Sequence, residues 1–247
     1  MKKYFILIAA LIWSTEISYT QDEDTTLNSI LTDTTREFLF TSIENSDIGF
    51  IWGGDLSQDN RIGYIGDNYQ RIRIRFISVI QNFDNPYEYF LYGKTRVENN
   101  ICEFQGSLQI TETGLVEDDA NANILRAYLS GNYVLFEDQS CLHSGIFRGE
   151  FITTVYLDEE GTIYYDNLSA EEDNFTNNEF FGDWEGYYPN EVQICNWGDY
   201  RIPYSAELDM GSDEFKPSFK YMDNGWAEYL EEQKKYKNGE ELEKWWQ

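Results

Sequence analysis

The chain has a single histidine, His143, two residues after Cys141. On a strand, residues i and i+2 share a face, so this thiol and this imidazole could meet. A nucleophilic pair also needs a third group to orient the base, and that group would have to come from elsewhere in the chain. Turn residues are the better reading of Cys141-Leu142-His143-Ser144. One histidine and three scattered cysteines are too few for a structural zinc site. No Gly-rich phosphate loop and no Gly-x-Ser-x-Gly elbow is present. Asp118 to Asn123 looks superficially like a calcium loop, but Ile124 and Ser130 stand where an EF-hand needs a glycine and an acid. Looser calcium sites at 158–166 or 171–173 are outweighed by solvated acidic loops. Carboxylates are so numerous that a pair at glycosidase spacing could arise by chance, and no pair stands out. No catalytic residue, metal site or cofactor is expected.

Two groups of residues are candidates for binding. Arg71, Arg73 and Arg75 alternate along one run and share a face, as Lys94 and Arg96 do on the next. Like charges side by side destabilise a sheet, so something must offset them. One account is cross-strand pairing with Glu88, Glu98 and Glu103 on a solvated face. The sharper one is an anion held there, either a ligand carboxylate or an acidic segment of a partner, with Arg suited by its bidentate geometry. The second group is aromatic: Trp184, Tyr187, Tyr188, Trp197, Tyr200 and Tyr204 crowd into a short stretch. Exposed, Trp184, Tyr187, Trp197 and Tyr200 could stack on sugars; buried, they fill a seam. An odd cysteine count allows one bridge and one free thiol. Cys102 falls on an apolar strand face, so the expected disulfide is Cys141–Cys195, both in irregular segments.

The elements that must position these residues are β-like. Candidate strands are 37–43, 48–54, 70–81, 87–98, 101–113, 124–137, 145–157, 162–166 and 180–188. That spacing predicts an antiparallel up-and-down β-barrel or a sandwich over 36–188. Nothing reads as a βαβ unit. A turn at Asn99-Asn100 sets Arg96 opposite Glu103 and Val97 opposite Cys102, with Tyr89, Leu91, Val97, Cys102, Phe104, Leu108 and Ile110 on one face. A turn at Asp158–Gly161 pairs Leu157 with Ile163 and Val155 with Tyr165. Residues 189–247 read as an irregular, aromatic-rich appendage. Its helix begins near Asn224, carries Trp226, Tyr229 and Leu230 on one stripe, and stops at Asn238-Gly239.

The N-terminus reads as an address. Met1-Lys2-Lys3 is basic, Tyr4–Trp13 is apolar, and Ser14–Thr20 is polar with small residues near its end, the form of a secretory signal peptide. Residues 21–35 read as a flexible leader. No second apolar run of spanning length follows, so no membrane insertion is expected after signal removal. A net charge of −27 argues against nucleic acid and anionic membranes.

Gly93-Lys94-Thr95-Arg96-Val97, Asn99-Asn100-Ile101, Phe104-Gln105-Gly106 and Asn196-Trp197-Gly198-Asp199-Tyr200-Arg201-Ile202-Pro203 together resemble uncharacterised secreted proteins of Bacteroidetes-type bacteria. The resemblance covers residues 50–226 and carries no catalytic motif. Asp24-Thr25-Thr26 and Asp33-Thr34-Thr35 are similar to the O-glycosylation sequon of those bacteria. The meander of strands resembles calycins, the lipocalin- and avidin-like barrels, at the level of fold. The expectation is a secreted or periplasmic acidic β-barrel that binds a ligand, with a glycan or an acidic partner as the candidate classes. A carboxylate-based glycan hydrolase is the alternative.

Overall fold

The computed structural model describes residues 34–116, 124–158 and 160–247, leaving aside the side chains of Leu56 and Ser57. The expected signal peptide, the expected leader up to residue 33 and the Asp118–Asn123 segment lie outside the described residues. Residues 34–44 form helix α1, followed by two short helices, α2 (Phe50–Gly53) and α3 (Asp55–Gln58). Nine strands come next: β1 (Arg61–Ile65), β2 (Gln70–Asn82), β3 (Asn85–Val97), β4 (Asn100–Leu115), β5 (Leu125–Glu137), β6 (Gly145–Leu157), β7 (Ile163–Tyr165), β8 (Asn177–Gly186) and β9 (Val192–Asp199). Two 3-10 turns, Ala206–Leu208 and Phe219–Asn224, lead into helix α4 (Trp226–Lys237).

All pairings are antiparallel, and the sheet closes on itself. Each strand pairs with the next from β1 to β6. β6 then gives Val155–Leu157 to β7 and Gly145–Ile152 to β8. β8 pairs with β9, and β9 returns to β1, with Arg61 opposite Asp199. β5 shows the alternation that drives this, with Ala127, Leu129, Gly131, Tyr133 and Leu135 buried and their neighbours more exposed.

The inside of the ring is filled by its own aromatic rings. Phe180 stacks on Trp197 with centroids 5.0 Å apart and on Phe151 at 5.6 Å. Tyr133 meets both Phe180 and Trp197 edge-on, and Phe76 meets Phe104 and Phe180. Trp52 of α2 joins this core, its Nε1 donating to Thr153 Oγ1 at 2.9 Å. Leu39 and Ile43 of α1 belong to the same cluster.

Several expectations are corrected here. Residues 37–43 and 48–54 are helical, not strands. Thr35, Leu39 and Ile43 recur every fourth residue on the buried side, a helical stripe that Phe38 and Phe40 obscured. The β domain does not stop at residue 188, because β9 is needed to close the ring, and β1 is a strand that no alternation signalled. The Asp158 turn pairs as expected, with Leu157 opposite Ile163 and Gly161 at φ 81°. The β3–β4 hairpin slides by one residue at its turn. Val97 faces Asn100, Arg96 faces Ile101 and Lys94 faces Glu103. Each expected partner moves by two positions, so the faces survive and Cys102, Phe104, Leu108 and Ile110 still point inward.

The C-terminal part packs on the outside of β1. Ile62 and Tyr64 form a second core with Ile202, Leu208, Phe215, Tyr221, Trp226 and Tyr229. Trp226 Nε1 donates to the Tyr69 carbonyl at 2.7 Å, fixing the start of α4.

Candidate functional site

β2 and β3 put Arg73 directly opposite Arg96 and Arg75 directly opposite Lys94. This is the like-charge arrangement that a sheet tolerates only with compensation. The compensation comes from α4, where Glu228 and Glu232 lie one turn apart on one face. Glu232 takes Arg71 at 2.6 Å and Arg73 at 2.7 Å. Glu228 takes Arg73 at 2.8 Å and lies 3.7 Å from Arg96. Arg71 also rests on the Tyr229 ring at 5.2 Å. Arg75 turns the other way, to Asp55 and Asp59 of the α3 region, and stacks on Trp246 at 4.4 Å. Lys94 pairs with Glu103 at 3.4 Å. Glu88 and Glu98 do not serve as expected: Glu88 accepts from Asn82, and Arg96 reaches the Glu98 backbone carbonyl instead.

The row is thus charge-compensated within the chain, Arg71, Arg73 and Arg96 by the acidic face of α4, Arg75 by Asp55 and Asp59, and Lys94 by Glu103. Burial opposes ionisation of Glu228, yet Arg73, Arg71 and Arg96 together hold its carboxyl below the ordinary value. Burial and the neighbouring Arg73 depress the Arg71 guanidinium. Beside this contact lies a cleft of about 650 Å³, bounded by β1, β2, residues 170–175, the 213–215 segment and the chain after α4. Arg75, Arg201, Tyr200 and Trp246 line it together with several carboxylates.

The aromatic candidates separate. Trp184 and Trp197 are buried inside the ring, where inward positions on β8 and β9 place them. Tyr187 is half-buried, and only Tyr200 of the four reaches the cleft. The expected Cys141–Cys195 bridge is replaced by Cys102–Cys141, with Cα atoms 5.9 Å apart. β5 ends at Glu137 opposite Phe104, so the loop that follows carries Cys141 back along Cys102. Cys195 is a free thiol inside the ring, where burial pushes its pKa up.

Two buried carboxyl groups sit within the ring. Asp199 accepts from Arg61 Nε at 3.1 Å, Asn178 Nδ2 at 2.7 Å and the Tyr165 hydroxyl at 3.1 Å. Burial pushes it up to about 6 against the pull of Arg61. Glu137 accepts from Thr95, from Trp184 Nε1 at 3.0 Å and from the Gly145 amide at 2.9 Å, and burial raises it as well. Neither lines the cleft, so these groups brace the interior rather than face a substrate.

Sequence reasoning missed a second depression, of about 500 Å³, on the outer face of β2–β5. Phe90, Tyr92 and Phe136 edge it, over a floor that includes Gln105 and Ser107. The signal was available: if Tyr89 and Leu91 point inward, Phe90 must point out.

No protein-family model, curated protein or solved structure matches the chain. Among the described residues, no group of His, Cys, Asp and Glu could hold a metal ion, and no helix is long and apolar enough to cross a membrane.

Proposed function

We propose that this is a secreted, acidic, non-enzymatic binding protein that engages its ligand on the outside of a calycin-like ring. The observation that carries the reading is the pair of outer concavities, since the filled interior argues against a ligand in the lumen. Calycin-type barrels hold ligands in a hollow lumen, whereas Trp197, Phe180, Phe151 and Tyr133 occupy that space here. The basic, apolar and polar succession of residues 1–20 supports export. Two open concavities of a size suited to ligands lie on the outer surface.

A carboxylate-based glycan hydrolase is the second reading, favoured by the carboxylates that line the larger cleft. Against it, the carboxyl groups that burial raises, Glu137, Glu179 and Asp199, line neither concavity. A hydrolase needs one such raised acid at its substrate. Incubating the purified protein with a panel of insoluble and soluble polysaccharides separates the two. Retention without release of reducing ends supports the binding protein; steady release of reducing ends overturns it.

A further inference from the structure

Resting on the reading of a binding protein, we infer that the outer depression over β2–β5 is a subsite for a neutral carbohydrate. Two cross-strand rows build it. Ile80, Phe90 and Ser107 lie side by side on β2, β3 and β4. Tyr92, Gln105 and Phe136 lie side by side on β3, β4 and β5. Neighbouring strands are about 4.8 Å apart, so Tyr92 and Phe136 stand roughly 10 Å apart with Gln105 between them. The four large side chains are exposed: Ile80 56%, Phe90 49%, Phe136 42% and Tyr92 38%.

Charge selects the occupant. None of the side chains lining the depression is ionised, on a chain whose net charge is −27. Of the charges nearby, Lys94 pairs with Glu103 at 3.4 Å and Arg148 with Glu185 at 2.8 Å, while Glu88, two residues before Phe90 on the same face, accepts only from the neutral Asn82 and adds negative charge at the rim. A second copy of the chain would bring the same large negative charge against this face. An anionic glycan meets the same opposition and finds no cation within the site. A wholly apolar partner would strand the Gln105 amide and the Ser107 hydroxyl. A neutral sugar satisfies both parts, laying its C–H faces on the rings and its hydroxyls on the floor.

The test is affinity electrophoresis of the full chain in gels containing a neutral β-glucan, a neutral xylan or an acidic polygalacturonate. The expected result is retardation by a neutral polymer, weakened about tenfold by Phe136→Ala and by Tyr92→Ala. Phe136→Trp should keep it, and Tyr188→Ala, at an exposed ring outside the site, should leave it unchanged. Unaltered melting temperatures exclude misfolding as the cause, which is a fair expectation for side chains this exposed. Retardation that ignores the groove substitutions, or that needs polygalacturonate, overturns this subsite while leaving a binding protein in place. No retardation by either neutral polymer overturns it as well, as does a dimer in sedimentation that Phe136→Ala dissolves. Release of reducing ends from the gel polymer would instead bring down the broader reading.

Discussion

Replacing Glu232 by Gln tests whether α4 is held by charge. The carboxylate lies within 2.7 Å of two guanidinium groups, on Arg71 and Arg73, and its side chain is 22% exposed. At a charge separation of about 4 Å and an effective dielectric constant of about 20, each pair is worth roughly 4 kcal/mol before desolvation. Returning the carboxylate's hydration and allowing for its partial exposure leaves a net loss of about 2–3 kcal/mol. Glu231→Gln is the control, one residue earlier on the same helix. Its side chain is 65% exposed and pairs only with Lys234, so it should cost about 0.5 kcal/mol or less. Urea unfolding of both variants at low salt and at about 0.5 M NaCl reads the difference, and the Glu232 loss should persist in salt because its partners are shielded. Equal losses for the two variants would refute the claim that the arginine row depends on this helix.

Asp199 gives the fold an acid-side preference. Its folded pKa of about 6 exceeds the ordinary 3.8, so its contribution is complete below pH 3.8 and is lost as pH rises through 6. The span is about 3 kcal/mol, most of it between pH 4 and 6.5, and Asp199→Asn should flatten that slope in urea melts taken across pH. The Cys102–Cys141 bridge closes a separation of 39 residues, so Cys141→Ser should cost about 4 kcal/mol. Thiol titration of the denatured wild type without reductant should find one reactive cysteine; three would deny the bridge. Gly106→Ala should cost about 3 kcal/mol because backbone must move, whereas Gly239→Ala, at φ 74° with nothing within 4 Å, should cost about 1 kcal/mol, both read by thermal unfolding.

Alternation made the strands legible because inward and outward positions differ so strongly in polarity. It could not place the β3–β4 turn, since a shift of each partner by two positions returns every side chain to its own face. That ambiguity hid Lys94 opposite Glu103. The disulfide was hidden one level higher: it follows from the β4–β5 register, which no local pattern encodes. Helices α1 and α2 were misread because Phe38, Phe40 and Phe50 carry strand propensity, while tertiary contact with the ring decides their form. The arginine row was visible as a row, and the C-terminal helix by the stripe of Trp226, Tyr229 and Leu230. What joined them was the docking of α4 beside β2, set by Trp226 and Tyr229 in a core shared with β1.

The seam between β1 and β9 has a consequence for how the chain folds. Contacts across it join residues near 61 to residues near 199, and Arg61 and Asp199, both buried, meet only there. Until the last strand has been made, β1 presents a bare edge and Arg61 has no counter-ion at Asp199. A chain stopped near residue 190 is thus an open sheet with raw edges at β1 and β8, not a smaller domain. Such long loops must close before their contacts repay the lost entropy, which makes for slow assembly and a period of vulnerability to aggregation. The edges of β1 and β8 are covered only at the end, and both at once.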